Sequence, residues 1–186
     1  MRFMTVKECI AAAAVELGIG DEVRDCLDGV SSTASGDVKN LLQCFNLVEN
    51  ELALDYLPLL AEDSLETDTG TVRYSELSRA VVRVIGVRDQ AGNDVAYQLF
   101  PDFLKAQAGT LTVRYSYTPT PKTLSGKSDY TLYASVRLFA YGMAAEYAAA
   151  TGQYEAAAVW DKKYKAAITA AYRTNKAKKI RARRWV

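Results

Sequence analysis

Residues 128–173 read SDYTLYASVRLFAYGMAAEYAAATGQYEAAAVWDKKYKAAITAAYR, and this stretch decides the fold. Ser128 or Asp129 can accept from the free amides of a first helical turn, so a helix is expected to start there. Tyr133, Val136, Ala140, Met143 or Ala144, and Tyr147 recur at helical spacing and form one apolar face. Leu132, Val136, Phe139 and Met143 form a second, overlapping face, so contact is expected on more than one side. Gly152 closes this helix, because glycine enters the left-handed cap without a Cβ clash. A second helix runs from about Tyr154, with Ala157, Trp160, Tyr164, Ile168 and Ala171 or Tyr172 on one stripe. The many alanines favour helix and allow close approach between helices.

Working outward, Thr5 to Leu17 reads as a first helix opened by a capping box, Thr5-Val6-Lys7-Glu8. Gly18 and Gly20 interrupt it before a short helical piece at Asp21 to Leu27. Asp37 to about Tyr56 is a long helix, with Val38, Leu41, Phe45, Val48 and Leu52 alternating by three and four. Pro58 marks its end. Glu62, Asp63, Glu66 and Asp68 read as an acidic connecting loop, since their spacing matches no calcium loop. Beyond residue 69 the period changes to two. Val72 and Tyr74 suggest a short strand, Ala80 to Arg88 a second, Asp94 to Phe100 a third after a turn at 89–93. Leu111, Val113, Tyr115 and Tyr117 alternate with polar residues in the clearest strand, buried on one face and wet on the other. Thr118-Pro-Thr-Pro121 then links back to the hairpin.

The expected fold is therefore α+β and mainly α. Residues 1–68 and 119–175 form a helical bundle, 69–118 a small antiparallel β insertion, and 176–186 a basic C-terminal tail.

Composition narrows the function. The 186 residues contain no histidine, which removes the commonest general base and metal ligand and every Ser-His or Cys-His arrangement. There is no glycine-rich phosphate loop, Cys-x-x-Cys pair or nucleophile elbow. Glu146, Glu155 and Asp161 are the nearest catalytic candidates. Without a base or metal they read as solvated carboxylates, Asp161 pairing with Lys165 four residues on. The expectation is no enzyme, metal or cofactor. Cys9, Cys26 and Cys44 sit on helical patterns and read as free thiols. No apolar run approaches the roughly 20 residues of a membrane helix, and the first residues lack the apolar core of a signal peptide. Synthesis in a reducing cytosol is expected.

The net charge of +1 conceals an asymmetry. Arg173, Lys176, Lys178, Lys179, Arg181, Arg183 and Arg184 are seven of the 23 basic residues, and no acid lies among them. Removing them leaves 16 basic against 22 acidic residues, a body of about −6. A terminal run of this kind reads as a solvated tail, a nucleic-acid arm or a docking peptide. Trp185 and Val186 at its end favour docking, the aromatic ring as anchor and the cations on an acidic partner surface. The docking residues are then Lys176, Lys178, Lys179, Ile180, Arg181, Arg183, Arg184, Trp185 and Val186. Nine of the twelve tyrosines cluster from Tyr115 on. Tyr133, Phe139, Tyr141, Tyr147, Tyr154, Trp160 and Tyr164 are core or subunit-interface residues, and interface suits a ring whose hydroxyl can stay wet.

This layout resembles the head-to-tail connector proteins of tailed bacteriophages, of the tail tubular protein A type. The resemblance is carried by the Thr5-Val-Lys-Glu8 helix, the strand Gly109-Thr-Leu-Thr-Val-Arg-Tyr-Ser-Tyr-Thr-Pro119, and the hairpin runs Ala140-Tyr-Gly-Met-Ala-Ala-Glu-Tyr147, Gly152-Gln-Tyr-Glu-Ala-Ala-Ala158 and Trp160-Asp-Lys-Lys-Tyr164. It is a likeness of layout over nearly the whole chain. It implies a structural virion protein in the neck, forming a ring, commonly dodecameric, beneath the portal. The β insertion would face the next tail or nozzle protein and the terminal tail would dock on the portal. DNA would pass the lumen without tight binding, with no membrane involved. The alternative is a nucleic-acid-binding protein using the basic tail.

Overall fold

The computed structural model describes residues 4–131 and 134–175. The protein is α+β, with helix the larger share. It divides into two compact units, Met1–Val48 with Lys122–Val186, and Glu49–Pro121.

The first unit is helical. Helix α1 (Val6–Leu17) opens on the expected capping box: the Glu8 amide donates to Thr5 Oγ1 at 3.2 Å, and the Thr5 amide donates to Glu8 Oε2 at 3.0 Å. It ends at Gly18, in the left-handed region at φ +78°. Helix α2 (Gly20–Leu27) is short, and α3 (Ser35–Glu51) follows. Helices α4 (Val136–Ala150) and α5 (Tyr154–Asn175) form the hairpin, turned at Gly152 with φ +78°. The core gathers Ile10 and Ala13 of α1, Leu41 and Phe45 of α3, and Phe139 and Met143 of α4, all fully buried. At Gly142 helices α3, α4 and α5 come close together. A Cβ there would lie 2.9 Å from Tyr164 Cε2 on α5 and 3.0 Å from both γ-carbons of Val48 on α3.

Helix α4 starts at Val136, not at Ser128 or Asp129. Its N-cap is Ser135, whose hydroxyl accepts from the Leu138 amide at 3.2 Å. Ser128 and Asp129 have other partners. The Ser128 hydroxyl accepts from the Tyr130 amide at 3.1 Å, and the Ser128 amide donates to the Met4 carbonyl at 3.0 Å. Asp129 pairs with Lys122 at 2.8 Å, both side chains nearly buried. The segment thus pairs in extended form with the chain entering α1, where Thr5 bridges Lys127.

The second unit holds six strands in two three-stranded sheets, ordered β1-β6-β3 and β2-β5-β4, all pairs antiparallel. The strands are β1 (Leu59–Thr67), β2 (Thr71–Arg73), β3 (Val81–Asp89), β4 (Gln98–Leu99), β5 (Phe103–Lys105) and β6 (Gly109–Tyr117). A π-helical turn, Leu52–Tyr56, precedes β1. Val72, Leu77, Val84, Val87, Leu104, Leu111, Val113 and Tyr115 make one apolar core. The expected acidic loop is a correction: Glu62, Asp63 and Glu66 lie in β1, paired residue for residue with β6 from Leu59↔Tyr117 to Thr67↔Gly109. Alternation explains it. Ala61 and Leu65 pack on the core, while Leu60, Glu62, Ser64 and Glu66 are exposed. The strand expected over 94–100 is reduced to Gln98–Leu99 and a single bridge from Asp94 to Arg88.

Candidate functional site

The aromatic residues singled out on the hairpin separate into three environments. Phe139 is fully buried, stacked on Phe45 with centroids 5.0 Å apart and edge-on to Tyr130 at 6.1 Å. Tyr164 is buried against Gly142. These two belong to the core of their own chain, so their surface is not open to a neighbour.

Tyr141 and Trp160 form a second group across α4 and α5, stacked at 5.8 Å. Arg137 Nε donates to Tyr141 Oη at 2.6 Å, with its guanidinium 5.3 Å from the ring. Lys163 Nζ lies 3.8 Å from the Trp160 ring centre and 5.5 Å from that of Tyr141. Two cations on a stacked aromatic pair satisfy the negative ring faces and fasten the hairpin. Tyr147 is half-buried, and its hydroxyl donates to Asp37 Oδ1 in the first turn of α3 at 2.6 Å. Burial, then that carboxylate, pushes the Tyr147 hydroxyl up to about 12.

The third environment is open. Tyr154 is 74% exposed, Val159 56% and Tyr172 50%. Tyr154 and Tyr172 fall on the same stripe of α5, about five turns or about 27 Å apart. Ala158, Ala166 and Ala170 are exposed between them. Tyr133 and the docking residues 176–186 lie outside the described residues.

The catalytic candidates give no constellation. Asp161 pairs with Lys165 at 2.7 Å, as the spacing predicts. Glu146 is exposed. After burial it is the next cause raising the Cys44 thiol, to about 11. Among the described residues no group of three or more His, Cys, Asp or Glu could hold a metal ion, and no helix is long and apolar enough to cross a membrane.

In the β unit the structure assembles a cluster that sequence reading missed. Asp63 accepts from the Ser78 amide at 2.7 Å, from Ser78 Oγ at 2.9 Å and from Tyr115 Oη at 2.5 Å. Desolvation opposes ionisation of Asp63, but these bonds and Arg79 outweigh it and hold the carboxyl below its usual range. Burial and then Asp63 push the Tyr115 hydroxyl up. A carboxylate so held is a weaker base. It clasps β1, β6 and the chain before β3. The only hint in the sequence is that Asp63 shares the inward phase of Ala61 and Leu65.

The outward face of the sheet β1-β6-β3 carries the other concentration of charge. Glu62 pairs with Arg114 at 3.5 Å and Arg88 with Asp94 at 3.2 Å. These four residues border a shallow cleft of about 350 Å³ that also takes in Ile85, Tyr97 and Thr112. Every charge on the cleft wall has an opposite partner, so it presents no net charge to a ligand.

No protein-family model matches the chain, and no curated protein matches it.

Proposed function

We propose that the protein is a non-catalytic structural subunit of a tailed phage, assembling into a ring between portal and tail in the virion neck. The observation that carries the self-assembly part is the exposed side of α5. Tyr154, Val159 and Tyr172 stay exposed on an alanine-rich helix whose other side is already packed. Tyrosine and small residues suit a close, partly wet contact between copies. The layout supports the phage part: a helical unit interrupted by a β unit, an alanine-rich hairpin and a basic terminal peptide ending Trp185-Val186. In this reading the ring is dodecameric. The terminal peptide docks on the portal. The β unit meets the downstream tail or nozzle protein. DNA passes through a lumen whose acidic walls do not hold it.

The test is a deletion of residues 176–186 in the phage that encodes the chain. Purified particles should lose this subunit, and their heads should leak DNA or lack tails. Wild-type virions that do not contain the chain would end the reading. The competing reading is nucleic-acid binding through the seven basic residues from Arg173 on. It predicts duplex binding that falls steeply with salt and vanishes with the same deletion.

A further inference from the structure

The sheet β1-β6-β3 has two open edges. Strand β1 makes no backbone hydrogen bond outside its ladder with β6 among the described residues. On β3 the far end is covered, because the Val87 carbonyl accepts from the Val95 amide at 2.9 Å and the Asp89 amide donates to the Asn93 carbonyl at 3.0 Å. Residues 81–86 of β3 have no such cover among the described residues.

The two edges carry opposite charge. Residues 59–68 contain Glu62, Asp63, Glu66 and Asp68 and no base. The uncovered residues 81–86 of β3 contain Arg83 and no acid, and Asp89 lies at the covered end. Glu66 on one edge and Arg83 on the other are exposed and have no ion pair among the described residues. Both edges also expose apolar side chains: Leu60 at 47% on β1, Val82 and Ile85 at 45% on β3. Val82 and Ile85 are the extra residues where the register of β3 against β6 shifts.

We infer that the β1 edge of one copy and the β3 edge of the next are the two halves of a joint between copies of this chain. The inference rests on the self-assembling reading proposed above and adds to α5 a second contact, in the β unit. Charged edges ordinarily guard a sheet against pairing. Over its uncovered residues each edge has a single sign, so the guard blocks only like edges. A two-fold joint, β1 on β1 or β3 on β3, sets like charges opposite each other. Joining β1 to β3 in parallel sets Glu66 of one copy beside Arg83 of the next. Direction agrees. Both strands run antiparallel to β6, so they are parallel to each other, and a head-to-tail series of copies repeats one parallel joint. Such a joint is heterologous, the kind that closes into rings or runs on as a filament.

The test compares the full chain with Glu66→Arg, Arg83→Glu and the double reversal, by sedimentation velocity over a range of concentration, alone and with the portal. Both substitutions are on exposed positions, and circular dichroism checks the fold of all three variants. Each single reversal should raise the concentration needed for association about tenfold, and the double should return it close to wild type. Oligomers that form equally well in both single variants, or a double no better than the singles, would overturn the joint while leaving self-assembly intact. A wild type that stays monomeric at every concentration, with and without portal, would overturn the joint and the ring together.

Discussion

Gly142 lies where α3, α4 and α5 meet, and replacing it by alanine sets two effects of known size against each other. Alanine is better than glycine in a helix interior by about 1 kcal/mol. The new methyl would sit 2.9 Å from Tyr164 Cε2 and 3.0 Å from both γ-carbons of Val48. Those contacts are closer than carbon atoms tolerate, and neither neighbour has room. Val48 is fully buried and stiff at its branched Cβ, and Tyr164 is 3% exposed. Overpacking a closed core costs about 1–3 kcal/mol, and with two elements pressing on the methyl the upper part of that range applies. The net expectation for Gly142→Ala is a loss of about 1–2 kcal/mol, or about 3–6 °C in Tm for a chain of this size. Urea unfolding followed by Trp160 fluorescence in a Trp185→Phe background reads this unit alone, since the chain has two tryptophans. Val48→Ala should itself cost about 2 kcal/mol. In that background Gly142→Ala should cost about 1 kcal/mol less, the Tyr164 contact remaining. A Gly142→Ala protein as stable as wild type, or more stable, would show that helix propensity prevails and that α3 and α5 do not close on this residue.

Other consequences follow from the buried polar groups. Folded Tyr147 keeps its proton up to about 12, whereas the unfolded side chain releases it near 10. Between those values only the unfolded state has lost the proton, so this contribution to stability is complete below pH 10 and fades as pH rises toward 12. Absorbance at 295 nm should show a late tyrosine step that Tyr147→Phe removes. Asp63 has the opposite sign: its folded carboxyl ionises below the ordinary 3.8, so its contribution is present above that pH and is lost as pH falls through the folded value. Asp63→Asn should cost about 1–2 kcal/mol at neutral pH and flatten the acid side of the profile; equal urea midpoints for the two proteins at pH 7 would refute the clasp. Of the three thiols, Cys26 should react first with a disulfide reagent at pH 8. Cys44 should be slow, because burial and then Glu146 push it up to about 11, and Cys9 is fully buried. Two fast thiols in the native protein would contradict that packing.

What the sequence by itself determined is whatever is settled within a few residues. The Thr5–Glu8 capping box, the turn at Gly152, the start of α5 at Tyr154 and the strict alternation of β6 all stand where their local chemistry puts them. Tertiary structure decided the rest, because the deciding partners are far away along the chain. Glu62, Asp63 and Glu66 look like a solvated loop until β6, some fifty residues on, offers a ladder and Tyr115 a hydroxyl. Ser128 looks like a helix cap until its amide is claimed by Met4 and its hydroxyl by Tyr130. Phe139 and Tyr164 have the same composition signal as Tyr154. Only packing shows that the first two are sealed in their own core and the third is left facing outward. A cap or an alternation is read from neighbours in sequence, whereas burial and strand pairing are fixed by which distant surfaces meet.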